Sequence, residues 1–255
     1  MIFKKVVILN RLFYFCSMEN TSKKRYVVLG ILFFLPVVFL LLLYPAKHNY
    51  IPLDIVNEAL PEITGFEFDS EEEIQISDHI TIIGFFGKNP LDNAIAASNL
   101  KELVYDKFRG FKKFQIVIIQ PEGSAAEVEQ LIKEISTYEE LKFWHFIYGD
   151  PSSISQFYSS LKSDEPLGSD LSTSHVFIVD KDKNQRGRID AREKRELEAN
   201  KPVYSLYDYD CIEVAEIKNK MSEDLRILFT EYRQKRKGQF DSTTRRASDL
   251  TKDND

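Results

Sequence analysis

Hydrophobic and polar positions along the chain fall into three regimes. From Tyr26 to Tyr44 nineteen consecutive residues carry no charge, mostly Val, Leu and Phe, broken by Gly30 and Pro36. At about 1.5 Å per residue such a helix nearly spans a hydrocarbon core, where a proline is tolerated. Tyr26 and Tyr44 stand where interfacial aromatics belong. A cleaved signal peptide would have a shorter apolar stretch ending in small residues, an ending that only Pro45-Ala46 approaches. The pattern therefore predicts one transmembrane helix over 26–44. No cysteine follows it closely, which argues against lipoprotein processing.

Residues 45–66 contain Pro45, Pro52 and Pro61 and read as a stalk that joins the domain near its end. The second regime, 67–235, alternates between strand and helix periods. Ile74 and Ile76, then Ile80–Phe86, read as strands, and Ala96, Leu100, Leu103, Val104 and Phe108 form a helical stripe. Phe114–Gln120 is a continuous apolar strand of the kind covered on both faces. Val128, Leu131, Ile132 and Ile135 give a second helix, and Phe143–Tyr148 another strand. Ile154, Phe157, Tyr158 and Leu161 repeat the helical spacing, and Ser174–Asp180 with Gln185–Ile189 reads as a hairpin. A last helix uses Val214, Ile217, Met221, Leu225, Leu228, Phe229 and Tyr232, with Asp210 as N-cap and Glu213 three residues on. The expected fold is α/β: a mixed sheet with helices on both faces. The third regime, 236–255, is polar and charged, and is expected to be a disordered tail.

Charge refines this organisation. The net charge is −6, yet residues 1–25 carry six basic groups against Glu19, a local +5 that leaves −11 for the remainder. An acidic body argues against nucleic-acid binding, which normally needs a basic face. Lys23-Lys24-Arg25 before the span predicts that residues 1–25 stay in the cytoplasm and that the domain is exported across an inner membrane. Met18 opens a more ordinary anchor sequence and offers an alternative start. The chain has two cysteines, Cys16 and Cys211, on opposite sides of the span, so no intrachain disulfide and no Cys-x-x-Cys motif is expected.

The candidate chemistry lies where Ile80–Phe86 runs through Gly87 and Lys88 into Asn89-Pro90-Leu91-Asp92-Asn93. Strand-to-helix junctions of this kind are preferred functional positions in α/β folds. Phe85-Phe86 with this turn, the Trp144 strand ending in Gly149-Asp150, and Ser174–Asp180 followed by Arg186-Gly187-Arg188 together resemble the Sco/SenC family. That resemblance implies a thioredoxin-like domain, a copper site of two cysteines and one histidine, and a role in cytochrome oxidase assembly. Carried over by position, the resemblance puts the cysteines on Asn89 and Asn93, either side of Pro90, and the histidine near Ser172. All three ligand types are replaced. Copper(I) selects thiolate and thioether ligands, which neutral amides cannot supply. The substitution excludes the family chemistry at this turn, and Asn93 reads as a helix cap.

Other candidates weigh less. Cys211 stands beside Asp208, Asp210 and Glu213, which raise a thiol pKa, and reads as structural at the start of the last helix. His79, His145 and His175 lack partners at metal-ligand spacing. Asp180-Lys181-Asp182-Lys183-Asn184 starts like a calcium loop but has Gln185 and Ala191 where glycine and a bidentate acid are required, so a hairpin turn is expected. Glu71-Glu72-Glu73 reads as solvated charge. The expectation is a single-pass, exported, non-catalytic binding or assembly factor with no cofactor, no metal and no small-molecule substrate. Its partner would be a protein, and the link to respiratory-complex biogenesis comes from the resemblance. The alternative is a metallochaperone or thiol-redox protein with its site relocated to Cys211 and His145 or His175.

Overall fold

The structure is a computed structural model that describes residues 25–42, 51–68, 74–136 and 140–236. The expectations for 1–24, for the end of the span at 43–44, for 45–50, for Glu71–Glu73, for Cys16 and for 237–255 lie outside the described residues. The chain divides into two units, 1–50 and 51–255. In the first, helix α1 (Arg25–Leu42) has a mean hydropathy of 2.5, and none of it is buried. Its eighteen residues make it long and apolar enough to cross a membrane.

The second unit contains β1 (Asp54–Asn57), β2 (Glu67–Phe68) and β3 (Ile80–Phe86), then a 3-10 turn (Pro90–Asn93) leading into α2 (Ala94–Leu100). A π-helical turn, Lys101–Tyr105, carries α2 into α3 (Asp106–Phe108). Next come β4 (Phe114–Pro121), α4 (Ala125–Ile135), β5 (Trp144–Gly149), α5 (Pro151–Ser159), β6 (Ser172–Val179) and β7 (Gln185–Gly187). The described residues end with α6 (Lys194–Glu198), β8 (Tyr209–Asp210), a π-helical turn (Glu216–Met221) and α7 (Ser222–Arg236).

Strand order is β1-β7-β6-β3-β4-β5-β2, with β8 added to β6. β3, β4 and β5 run parallel, whereas β6 is antiparallel to β3 and β7 to β6. A parallel β3–α2–β4 unit, an inserted β5–α5, and an antiparallel β6–β7 pair closed by α7 make the expected thioredoxin-like mixed sheet. Every residue of β3 and β4 is buried, because both sheet faces are covered. One face packs Ile83, Phe85, Val117, Ile119 and Phe177 against Ile154, Phe157 and Tyr158 of α5. On the opposite side, Phe108 of α3 lies 6.0 Å from Phe114 and 5.5 Å from Phe229 of α7.

Three expectations are corrected. The sheet begins within the anticipated stalk: β1 pairs with β7, and Leu60, Ile63 and Phe66 enter the core. Ile74 and Ile76 are buried but form no strand, because the Glu62 carboxylate accepts the Ile76 and Ser77 amides and holds that segment as a loop. Asp210 caps no helix. It belongs to β8, and its amide donates to Glu216 Oε1 at 2.9 Å.

The Arg-Gly-Arg strand bolts β7 onto α7. Arg186 is buried and donates to Asp180 Oδ2 (2.9 Å), Glu231 Oε2 (2.7 Å) and the Leu53 carbonyl (3.0 Å). Arg188 donates to both oxygens of Asp224, and Oδ2 also accepts the Tyr209 hydroxyl at 2.7 Å. Gly187 lies between them because a Cβ there would stand 2.5 Å from the Leu206 carbonyl.

Candidate functional site

β3 ends at Phe86, and Gly87 turns the chain with φ +71°. A Cβ on Gly87 would lie 2.7 Å from Ser172 Cβ and 2.8 Å from the Asp170 carbonyl, so only glycine fits. Phe86 pairs with Ser172 across the sheet, and the Lys88 amide donates to the Asp170 carbonyl at 3.0 Å. Pro90 is buried at the start of the 3-10 turn, where its missing N–H has no consequence. Asn89 is exposed, and its carbonyl accepts the Asp92 amide. Ser172 donates its hydroxyl to Asp170 Oδ2 at 2.8 Å, and this bond holds the Asp170 carboxyl below the usual carboxylate range. Asn89, Pro90, Asn93 and Ser172 therefore share one junction, where β3 leaves the sheet beside the start of β6.

The role of Asn93 differs from the expected cap. It occupies the N-cap position of α2 without a side-chain cap, and its Nδ2 instead donates backward to the Phe86 carbonyl at 3.0 Å. The amide ties the turn to the strand that feeds it. Asn93→Ala is accordingly expected to destabilise the domain by about 1 kcal/mol, the usual worth of one such bond. Thermal denaturation of the full chain in detergent, against wild type, measures it.

The sulfur and the histidines lie elsewhere. Cys211 is completely buried in the connection after β8, not at a helix start, and its amide donates to the Ser174 carbonyl. Burial pushes its thiol far above the ordinary range, and Asp210 and Glu216 add to the shift. A buried thiol held in its protonated form is a poor nucleophile. His79 Nδ1 lies 3.0 Å from the Ser77 carbonyl, and His145 is on β5. Among the described residues no three His, Cys, Asp or Glu side chains converge as a metal would require.

His175 is not alone, and this correction brings in residues the sequence did not suggest. Its Nδ1 lies 2.9 Å from Oδ1 of Asp208, a buried carboxylate whose Oδ2 accepts the Ser163 hydroxyl at 2.6 Å. Ser163 Oγ accepts the Glu165 amide, and the Tyr158 hydroxyl donates to the Glu165 carbonyl at 2.6 Å. The cause is a bulge. Ile83 faces Phe177 and Phe85 faces Thr173, so β6 spends four positions where β3 spends two. The freed His175 and Val176 pair instead with β8. The Tyr207-Asp208-Tyr209-Asp210 alternation was the one available sign of a strand here.

No protein-family model matches the chain, and no curated protein does. Solved structures similar to it include BsSco, a member of the Sco family of cytochrome c oxidase assembly proteins, at 15% identity over 70% of this chain and 98% of that one, with a TM-score of 0.43. The soluble domain of Sco1 from Bacillus subtilis is 16% identical over 66% and 90% of the two chains, with a TM-score of 0.40. The thioredoxin domain of a thiol-disulfide oxidoreductase from Bacteroides vulgatus is 13% identical over 56% and 93%, with a TM-score of 0.36. These likenesses concern the fold, and the thioredoxin-like assignment itself rests on the strand order and connections described above.

Proposed function

We propose that this chain is a membrane-anchored, exported binding or assembly factor that performs no redox or copper chemistry of its own. One observation carries the reading. At the junction of β3, the 3-10 turn and β6, the side chains are two amides, a proline and a hydroxyl, and one amide is engaged with the backbone of β3. Such a surface can hold its shape and dock, but it offers no thiolate for copper(I) or for disulfide exchange. The buried Cys211 supplies no substitute. The basic run Lys23-Lys24-Arg25 before α1 supports an N-terminus in the cytoplasm and a domain on the outer face of an inner membrane. By resemblance to the Sco/SenC family, the partner is a protein of respiratory-complex biogenesis.

Copper(I) titration of the full chain in detergent, repeated with Cys211→Ser, tests the chemistry. Millimolar or absent binding in both is expected. Tight stoichiometric binding that disappears in Cys211→Ser would instead establish a relocated metal site. Cross-linking from native membranes followed by pull-down tests the binding role, and failure to recover any reproducible partner would count against it. Protease accessibility in spheroplasts reads the orientation, with digestion of the domain from outside as the expected result.

A further inference from the structure

We propose that Asp208 is a pH-sensitive clasp that closes residues 163–175 at both ends and so governs how firmly Ser172 is held against the Gly87–Asn93 turn. The inference rests on the reading that this turn and Ser172 form the working face of the domain. One oxygen of the Asp208 carboxylate takes the Ser163 hydroxyl at the entrance of the segment, and the other faces His175 Nδ1 at its exit. Between them the chain is folded on itself. Gly168 donates to the Ser172 carbonyl, Leu171 to the Gly168 carbonyl, and Ser172 to the Asp170 carboxylate. Asp170 in turn accepts the Lys88 amide, the direct link to the turn.

The segment also holds strain. Leu171, immediately before Ser172, has φ +67°, a left-handed conformation that costs a leucine free energy and persists only when its surroundings impose it. The closure at both ends acts with the burial of Leu171 in the core, its amide bond to the Gly168 carbonyl and the pairing of Ser172 with Phe86 to impose it. If one end loosens, Leu171 can return to an ordinary conformation, and the Ser172–Asp170–Lys88 contacts lose their fixed geometry.

The charge at the exit end decides the strength of the closure. Three carboxylates act on the His175 ring: Asp208 ahead of β8, Asp210 on β8 and Glu165 on the segment after α5. The Asp208 hydrogen bond, aided by these charges, outweighs burial and raises the His175 pKa above the ordinary value of about 6.5. The clasp is therefore at full strength below about pH 6.5 and weakens as pH rises through the folded-state pKa of His175. Deprotonation removes the imidazolium–carboxylate attraction and leaves a neutral ring N–H donating to the Asp208 carboxylate, a weaker closure.

Hydrogen exchange of the full chain in detergent, corrected for the intrinsic pH dependence of exchange, reads this directly. If opening of the segment frees His175, exchange of the 164–172 amides should accelerate by about tenfold per pH unit between the ordinary and the folded histidine pKa. Amides of β4 should not respond. In His175→Gln, which keeps a donor but does not titrate, the profile of 164–172 should be flat. In Asp208→Asn, whose side chain keeps both polar atoms without the charge, exchange should be fast even at low pH. A wild-type segment indifferent to pH, or the same acceleration in His175→Gln, would overturn the clasp. None of these outcomes depends on copper or on a partner, so they stand or fall apart from the binding-factor reading.

Discussion

Arg186→Met is expected to destabilise the domain by about 3–5 kcal/mol, because it strands two buried carboxylates. Asp180 and Glu231 are 1% and 0% exposed at their side chains, and Arg186 contacts both. Removing the cation leaves Asp180 with hairpin amides only, since its Oδ1 accepts from Asp182 and Asn184. Glu231 keeps Lys235 at 3.0 Å. For a domain of this size the loss corresponds to a fall in Tm of roughly 6–20 °C. Replacing the partner as well, in Arg186→Met/Glu231→Leu, should recover part of that loss, because one uncompensated charge is gone. By contrast, Lys133→Ala removes an exposed i,i+4 pair with Glu129 and should change stability by no more than about 0.5 kcal/mol. Thermal melts of the three variants settle the ranking. If Arg186→Met melts with wild type, the clamp between β7 and α7 contributes nothing to the fold.

The second large effect is a gain. Cysteines at both turn positions, Asn89→Cys and Asn93→Cys, should create a dithiol but only weak copper(I) binding while position 172 remains serine. Adding Ser172→His completes two thiolates and an imidazole, and affinity should then rise by orders of magnitude. The positions are suitably placed. Phe86 pairs with Ser172, and the Asn93 side chain reaches back to that same Phe86. Copper(I) competition titrations of the double and triple variants make the measurement. A folded triple variant without added affinity would mean that this junction is not where the Sco/SenC family holds its metal, and the reading built on lost ligands would go with it.

The parts of this fold legible in the sequence are those whose environment is uniform. β3 and β4 are buried along their whole length, so their apolar runs are unbroken, and α4 and α5 bury a stripe at helical spacing. Where burial is decided by distant partners, the pattern misleads. Ile74 and Ile76 look like strand residues, but the backbone beside them is claimed by Glu62, a side chain more than ten positions away. β1 and β2 are at most four residues long and leave no periodic trace, and β8 leaves only the short Tyr207–Asp210 alternation. The candidate site shows the same division. Asn89, Pro90 and Asn93 are adjacent in the chain and were visible as a turn. Ser172 joins them only because β6 pairs with β3, and its selection came from a family resemblance. Asn93 stands at the start of α2, where its residue type predicts a cap, yet its amide nitrogen, not its oxygen, makes the bond, and makes it to β3. His175–Asp208 depends on a bulge, which no local propensity encodes.

The position of the arginine clamp along the sheet has a consequence for how such a protein changes over evolutionary time. Arg186 faces Ile178 across the β6–β7 pair, and Ile178 and Ser172 pair with Ile82 and Phe86, four positions apart on β3, or roughly 13 Å of strand. The contacts most costly to break thus lie far from the turn. Substitutions at 89 and 172 leave the Arg186 clamp untouched, so a change of side chain there is expected to cost less fold stability than one at Arg186. A lineage can therefore shed a chemical activity there and keep a well-folded body to be recruited for something else. The same separation leaves the clamp intact when side chains at the junction are rewritten, so that a new ligand set there costs only local bonds such as that of Asn93 to Phe86.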